Sequence, residues 1–489
     1  MKAGPEISLA QVLAATGGKL LSGTGTGEVV FRGISTDSRK CREGNLFIAL
    51  AGEHFDGHHY LTQARRQGTA GALVHRRPQG LPGEFPVIVV GDTLRALGDL
   101  ASWWRRRFTP TIIAVTGSSG KTTTKEMIAA IMTRRGDVLK TEGNFNNLIG
   151  LPLTLFRLRP GDMAAVLELG TNTPGEIARL ARMALPDIGL ITNIGLAHLA
   201  GFTDLAGVAA EKRDLFRELS AAGTMIVNKD DPFLRDAGRD WQGGVVTFGL
   251  HAAANVYADG IVPVLVSGAG VAGQDGTREK YRTETRFTLH LGEERQEITI
   301  PVAGEHQIVN ALAAAASAWA AGASGEDIAL GLGSFTPIPG RMEIIALAGG
   351  AFVINDAYNA NPSSVREALR TLQQLKGRGR GIAVLGDMLE LGPREAAWHE
   401  EIGGLLADTG VERVYLRGRL SGATAAGASK HGMPAAAIIV AEDQEEIARD
   451  LGAYLQAGDW VLVKGSRRLE MDKVTAALRR AHGEAGGSR

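Results

Sequence analysis

The segment Thr111-Ile-Ile-Ala-Val-Thr116-Gly117-Ser118-Ser119-Gly120-Lys121-Thr122-Thr123 holds the residues best placed to do chemistry. An apolar run leads into a glycine-rich turn and then into a helical stretch, Lys125 to Thr133. Backbone N–H groups of such a turn, with a helix N-terminus behind them, cradle phosphate oxygens. Lys121 would reach β- and γ-phosphates, and the Thr122 hydroxyl would bind Mg²⁺. A strict P-loop has a glycine where this chain has Val115, so the motif is a shortened form, Gly-x-x-Gly-Lys-Thr-Thr. A plain turn between strand and helix is the competing reading. The strand, glycines, lysine, hydroxyl and helix, all in order, favour the phosphate loop.

Three further side chains follow at strand ends or on a helix. Glu168 closes the apolar run Ala164–Leu169, where a carboxylate can hold Mg²⁺ or stand solvated. His198 follows the run Ile188–Thr192; it could reach the same phosphates or be structural. Lys212 lies in a predicted helix, Asp204–Leu219, with Leu205, Val208, Ala209, Leu215, Phe216 and Leu219 on its apolar stripe. Lys212 falls on that stripe. A buried amine of lowered pKa can react with CO₂ to give a carbamate, an anionic metal ligand. A salt bridge or a snorkelling stem is the alternative.

The elements around these residues fall into three segments, so the expected class is α/β in three domains. Residues 1–108 hold short strand-like runs (Val29–Phe31, Leu46–Leu50, Ala72–Val74, Val87–Val90) and form a small α/β domain. Residues 109–335 alternate buried strands with helices, as in a P-loop ATPase-like parallel sheet. Within them, 250–300 alternates like an antiparallel insertion. Residues 336–489, after a break at Phe335–Gly340, read as a second, Rossmann-like α/β unit. Lys plus Arg is 53 and Asp plus Glu is 53, so the net charge is zero; no nucleic-acid partner is expected. Aromatics are only 5%, which leaves no stacking platform for single strands. Cys41 is the single cysteine; it cannot form an internal disulfide and fits a cytoplasmic setting. No membrane insertion is expected, because the alanine-rich run Ile308–Ala321 is too short to span a bilayer.

Taken together, Gly117–Thr123, Asn144-Phe-Asn-Asn147, Glu168-Leu-Gly, His198 and Lys212 resemble the Mur ligases of peptidoglycan synthesis. The order continues with Gly304-Glu-His-Gln-Ile-Val-Asn310, Pro339-Gly-Arg341-Met-Glu, Asn355-Asp356-Ala-Tyr358-Asn359-Ala-Asn361-Pro, Leu385-Gly-Asp-Met-Leu-Glu-Leu-Gly392 and Val463-Lys-Gly-Ser-Arg467. The resemblance runs from Asp37 to about Lys473. Gln307 stands where the family often has Asn.

The resemblance implies an ATP-dependent ligase that joins two substrates through an acyl phosphate. The segment from Asp356 to Pro362 is similar to the member acting on UDP-N-acetylmuramoyl-tripeptide and D-alanyl-D-alanine, and those substrates are expected here. The phosphate loop, Gly117, Ser118, Ser119, Gly120, Lys121, Thr122 and Thr123, would bind ATP. Thr122 and Glu168 would hold one Mg²⁺. His198, Glu168 and carbamylated Lys212 would serve a second. Lys121, Lys212 and His198 form the implied catalytic set. Asn310 would contact adenine, and Arg341 and Asp356 the ribose or phosphates. Ser35, Thr36, Asp37, Ser38 and Arg39, with Gly52–Tyr60, would meet the UDP-sugar. Asn147, Tyr358, Asn359 and Asn361 would line the remaining substrate site. A cytoplasmic monomer is expected. The rivals are another acyl-phosphate ligase, such as a folate polyglutamate ligase, and a P-loop phosphotransferase that forms no amide.

Overall fold

The structure is a computed structural model and describes residues 4–23, 29–78, 80, 83–196, 201–267 and 281–483. Three sheets organise those residues. The first has five strands in the order Lys19–Ser22, Val87–Val89, Gly71–Val74, Leu46–Ile48 and Ile34–Ser35, parallel except at Lys19–Ser22. Gly71–Val74 and Leu46–Ile48 are buried along their whole length. A parallel strand covered on both faces needs that continuous apolar pattern.

The central sheet has nine strands. Thr111–Thr116 lies between Ala164–Glu168 and Ile188–Ile191, parallel to both. The chain leaves Thr111–Thr116 for the edge strand Val138–Lys140, beyond Ala164–Glu168, and later returns to the other side. The crevice at the carboxyl end of such a switch point is where open α/β sheets bind ligands. Register sharpens this: Val115 pairs with both Glu168 and Leu190, so the ends of all three strands open side by side.

One sequence expectation is extended here and one is revised. The alternating residues of 250–300 form antiparallel strands as expected, and these join the central sheet. Val256 pairs in parallel with Phe248, and Val256–Ser267, Tyr281–Leu291 and Glu294–Ile300 extend the central sheet as an antiparallel ribbon. The helix after the phosphate loop spans Lys121–Met132 and begins four residues before Lys125. Gly120 sits in the left-handed region (φ 78°) and caps it, so Lys121 becomes its first residue.

The alanine-rich helix Glu305–Ala320 covers the other end of this site. Ala311 and Ala313 to Ala316 are fully buried beside the phosphate-loop helix. Their small side chains let two helices and the sheet approach closely. The third sheet orders Glu343–Ala346, Phe352–Asp356, Trp460–Lys464, Gly381–Gly386, Arg413–Arg417 and Ile438–Val440, with only the first strand antiparallel. Among the described residues, no helix is long and apolar enough to cross a membrane.

The first sheet is fastened to the second by helix Thr93–Arg105 and by a shared core containing Leu97, Leu100, Ile177 and Leu180. Arg105 is buried and donates to the carbonyls of Ala184 (3.0 Å), Phe108 (2.9 Å) and Leu185 (3.4 Å). Arg105→Met leaves those acceptors unpaired. It is expected to lower unfolding stability by about 1–3 kcal/mol, read from the urea midpoint; an unchanged midpoint would show the clamp to be idle.

Candidate active site

The phosphate loop is fixed by contacts that tolerate no side chain at two points. Gly117 has φ 150°, and a Cβ there would lie 1.8 Å from Thr192 Oγ1. A Cβ on Gly120 would lie 2.2 Å from Asn310 Oδ1. Ser118 donates its hydroxyl to Gly195 O (3.0 Å) and accepts from Gly195 N–H (2.8 Å). Ser119 N–H donates to Asn193 Oδ1 (3.0 Å). These bonds tie the loop to the end of the neighbouring strand. The first N–H groups of helix Lys121–Met132 have no partner within the helix and form the anion cradle.

Lys121 folds back over this cradle and donates to Gly117 O (2.8 Å). Burial lowers its pKa; the Arg341 charge lowers it further, against the pull of Glu168. Thr122 is half-buried at the cradle's mouth, and Thr123 is buried. Glu168 is 3% exposed. Its Oε1 accepts from Asn146 Nδ2 (2.9 Å), and its N–H donates to Thr141 Oγ1 (3.0 Å). Its Oε2 is buried with no hydrogen-bond partner. A buried carboxylate oxygen left open this way suits a cation.

Lys212 is buried, as its place on the apolar stripe predicted. Helix Leu205–Arg217, capped by Asp204 onto Gly207 N–H (2.8 Å), presents it inward, 2% exposed. That excludes a snorkelling stem. The adjacent Glu211 is engaged elsewhere: it accepts from Gly175 N–H (2.6 Å), Ile177 N–H (2.8 Å) and the Thr171 hydroxyl (3.1 Å). Among the described residues, Lys212 has no ion-pair partner. Burial first, and then the Lys121 charge, bring its pKa down to about 7. Half of such amines are neutral near that pH. His198 lies outside the described residues. Among the described residues no group of three His, Cys, Asp or Glu side chains could hold a metal.

The C-terminal sheet faces the loop with Arg341. Its guanidinium lies 4.0 Å from the Tyr358 ring centroid, and Arg467 approaches the same ring at 5.4 Å. Asp356 is engaged within its own domain: it accepts from Met342 N–H (3.2 Å) and forms a short ion pair with buried Lys464. Lys464 also donates to Asn359 O (3.0 Å). Asn361 caps helix Pro362–Lys376 through Ser364 N–H (2.8 Å). Asn310 accepts from Thr124 Oγ1 (3.3 Å) and donates to Gln307 Oε1 (3.1 Å), closing the back of the loop.

Asn146 and His306 emerge only from the structure. Asn147 Oδ1 caps helix Gly150–Leu155 through Ile149 and Gly150 N–H, while its neighbour Asn146 reaches Glu168. His306, beside Gly304, has a buried, unpartnered Nδ1, and burial lowers its pKa to about 4, so the ring is neutral. Both sit inside motifs visible in the sequence, but nothing there separates Asn146 from Asn147.

A second cavity of about 730 Å³ opens between the first and central sheets. Ser35, Thr36 and Asp37 line it, with Arg32, Lys40, Arg42, Arg157 and Arg159. This basic wall suits an anionic ligand. Ser38 instead donates to Gln63 Oε1 (3.0 Å). Exposed Arg39 pairs with Asp37 (2.9 Å) and holds that carboxyl below its usual range. The stretch Gly52–Tyr60 forms a short hairpin and a 3₁₀ turn that do not line the cavity.

Two predictions follow from this geometry. Gly117→Ala should remove nucleotide binding, because its Cβ overlaps Thr192; calorimetry with unchanged affinity would refute the cradle. The second concerns Lys212 in CO₂-free buffer. Its folded pKa lies below the unfolded 10.5, so burial of the charge penalises the fold fully below about pH 7. The penalty, on the order of 5 kcal/mol, fades as pH rises from 7 towards 10.5. Lys212→Met should therefore be the more stable chain at pH 7 and lose that advantage by pH 10. A constant difference across that range would refute the buried-charge account.

With this geometry, the likeness to known proteins acquires structural content. Residues 30–104 match the family model "Mur ligase family, catalytic domain", 115–318 "Mur ligase middle domain" and 340–467 "Mur ligase, glutamate ligase domain". UDP-N-acetylmuramoyl-tripeptide–D-alanyl-D-alanine ligase of Bacillus subtilis is 35% identical over 92% of this chain and 94% of its own. The crystal structure of MurF from Acinetobacter baumannii superposes with a TM-score of 0.86 at 32% identity, covering 98% of this chain and 99% of that one. MurF from Thermotoga maritima, in complex with ADP, gives 0.78 at 26% identity, covering 91% and 97%. Phosphate loop, buried lysine, facing arginine and sequence likeness along nearly the whole chain agree: the chain belongs to the Mur ligase family.

Proposed function

We propose that this enzyme joins D-alanyl-D-alanine to UDP-N-acetylmuramoyl-tripeptide at the expense of ATP, releasing ADP and phosphate. The observation that carries the reading is the convergence of Lys121, Lys212 and Arg341 on a phosphate loop beside the open oxygen of Glu168. The ADP complex of the Thermotoga relative supports ATP as the nucleotide, and the names of the relatives support the two substrates. Domain limits near residues 108 and 335 suit the three sheets. A cytoplasmic monomer suits a nucleotide-linked precursor and soluble ATP. The product would be the pentapeptide precursor of peptidoglycan.

Two Mg²⁺ ions fit the site, because Glu168 Oε2 is buried without a partner and Thr122 stands at the cradle. Thr122 and Glu168 would hold one; Glu168, His198 and the Lys212 carbamate would serve the other. Magnesium bound there would offset the negative charge gathered on the phosphates. The carbamate forms when the neutral Lys212 amine adds to CO₂ and releases a proton, turning a cation into an anion.

Amide formation from a carboxylate is uphill in water, so the carboxylate must be activated. The tripeptide carboxylate oxygen attacks the γ-phosphorus, and ADP leaves. Lys121 offsets charge on the transferred group, and Arg341 reaches it from the C-terminal domain. The dipeptide amine then attacks the acyl carbon, loses a proton, and phosphate departs with the former carboxylate oxygen. The 730 Å³ cavity would take the UDP-sugar end through its basic wall. Closure about Phe335–Gly340 would exclude water from the acyl phosphate.

The test is phosphate release with UDP-N-acetylmuramoyl-tripeptide, with and without D-alanyl-D-alanine, together with the product mass. Steady-state release that needs both substrates, with a product heavier by the dipeptide less water, is expected. Release indifferent to the dipeptide would refute the ligase. Lys212→Ala should lose ligation by about a hundredfold or more with its fold intact, and short-chain acids should restore part of it. Full activity in that variant would refute the carbamate.

A further inference from the structure

Arg341 stands between two residues of left-handed backbone, Gly340 (φ 72°) and Met342 (φ 55°). Glycine adopts that conformation freely; methionine is strained in it and stays only where its surroundings hold it. Arg341 Nε is buried with no hydrogen-bond partner, and its guanidinium rests on the Tyr358 ring. The direction of the arm is therefore set by the backbone beneath it.

That backbone is held at each residue. Gly340 N–H donates to Glu343 Oε2 (3.1 Å), Arg341 N–H to Ile338 O (3.0 Å) and Met342 N–H to Asp356 Oδ1 (3.2 Å). Tyr358 N–H donates to Gly340 O (3.1 Å). Asp356 is fixed in turn by Lys464. Glu343 is fixed from two other elements. Asn355 Nδ2, on strand Phe352–Asp356, donates to its Oε2 (2.8 Å), and Arg479 Nη2, on the last helix, Asp472–His482, donates to its Oε1 (2.9 Å).

We propose that Glu343 is a positioning residue: bonded at once to Gly340 N–H, Asn355 and Arg479, it holds the left-handed turn that aims Arg341 at the phosphate loop. This rests on the reading of Arg341 as a phosphate contact. It also gives the last helix, far along the chain from the loop, a part in nucleotide binding.

The test is a double-mutant cycle in the full-length enzyme, read on the dissociation constant of a non-hydrolysable ATP analogue with Mg²⁺. Glu343→Ala should weaken binding about ten- to a hundredfold. Glu343→Gln, which keeps an oxygen for Gly340 N–H, should restore most of it. The Glu343→Ala/Arg341→Ala double variant should bind no more weakly than Arg341→Ala alone, because both act through one arm. Losses that add in the double variant, or native affinity in Glu343→Ala, would overturn the assignment. Should Glu343→Ala not fold, Glu343→Asp enters the same cycle, its shorter side chain unable to span the turn and Arg479. Binding is read separately from ligation, so a failure of the ligase reading appears only in wild-type turnover with both substrates.

Discussion

Buried positive charge awaiting anions is the constraint on which this structure turns. Lys121 and Lys212 both have lowered pKa values, each through burial first and a neighbouring cation next. Glu168 is the buried carboxylate set against Lys121, and one of its oxygens is unpaired; Glu211 offsets Lys212. Isolated, such a cluster opposes folding. It persists because the surrounding sheet and helices are buried deeply enough to carry the penalty, and because phosphates and a lysine carbamate would relieve it.

The rest of the fold can be understood as support for that cluster. The switch in strand order opens three strand ends together, so the loop, Glu168 and the Thr192–Asn193 turn share one crevice. Glycines at 117 and 120 let Thr192 and Asn310 press against the loop. Ala311 and Ala313 to Ala316 bring the covering helix close. The C-terminal sheet adds Arg341 through a turn whose strained backbone is held by Asp356 and Glu343. Each of these devices shortens a distance or fixes a direction; the chemistry stays with a few side chains.

Local constraints were legible in the sequence. The Gly-x-x-Gly-Lys-Thr pattern can serve few other purposes, the apolar run before Glu168 marks a strand end, and helical spacing alone turns Lys212 inward. What depended on long-range contact was not legible. The Asp356–Lys464 pair joins residues 108 apart in sequence, and no local pattern announces it. Asn146 and Asn147 differ only in which way a turn throws them. The cap that Asn361 places on helix Pro362–Lys376 was not singled out either. The ribbon of 256–300 alternates like an insertion because its outer face is solvated, although it continues the central sheet.

The central claim is that the tripeptide carboxylate becomes an acyl phosphate. The most direct measurement labels that carboxylate with ¹⁸O and follows the label during ligation. The account predicts one ¹⁸O atom in each phosphate released and one retained in the new amide carbonyl. Phosphate free of label, alongside continued ligation, would contradict it.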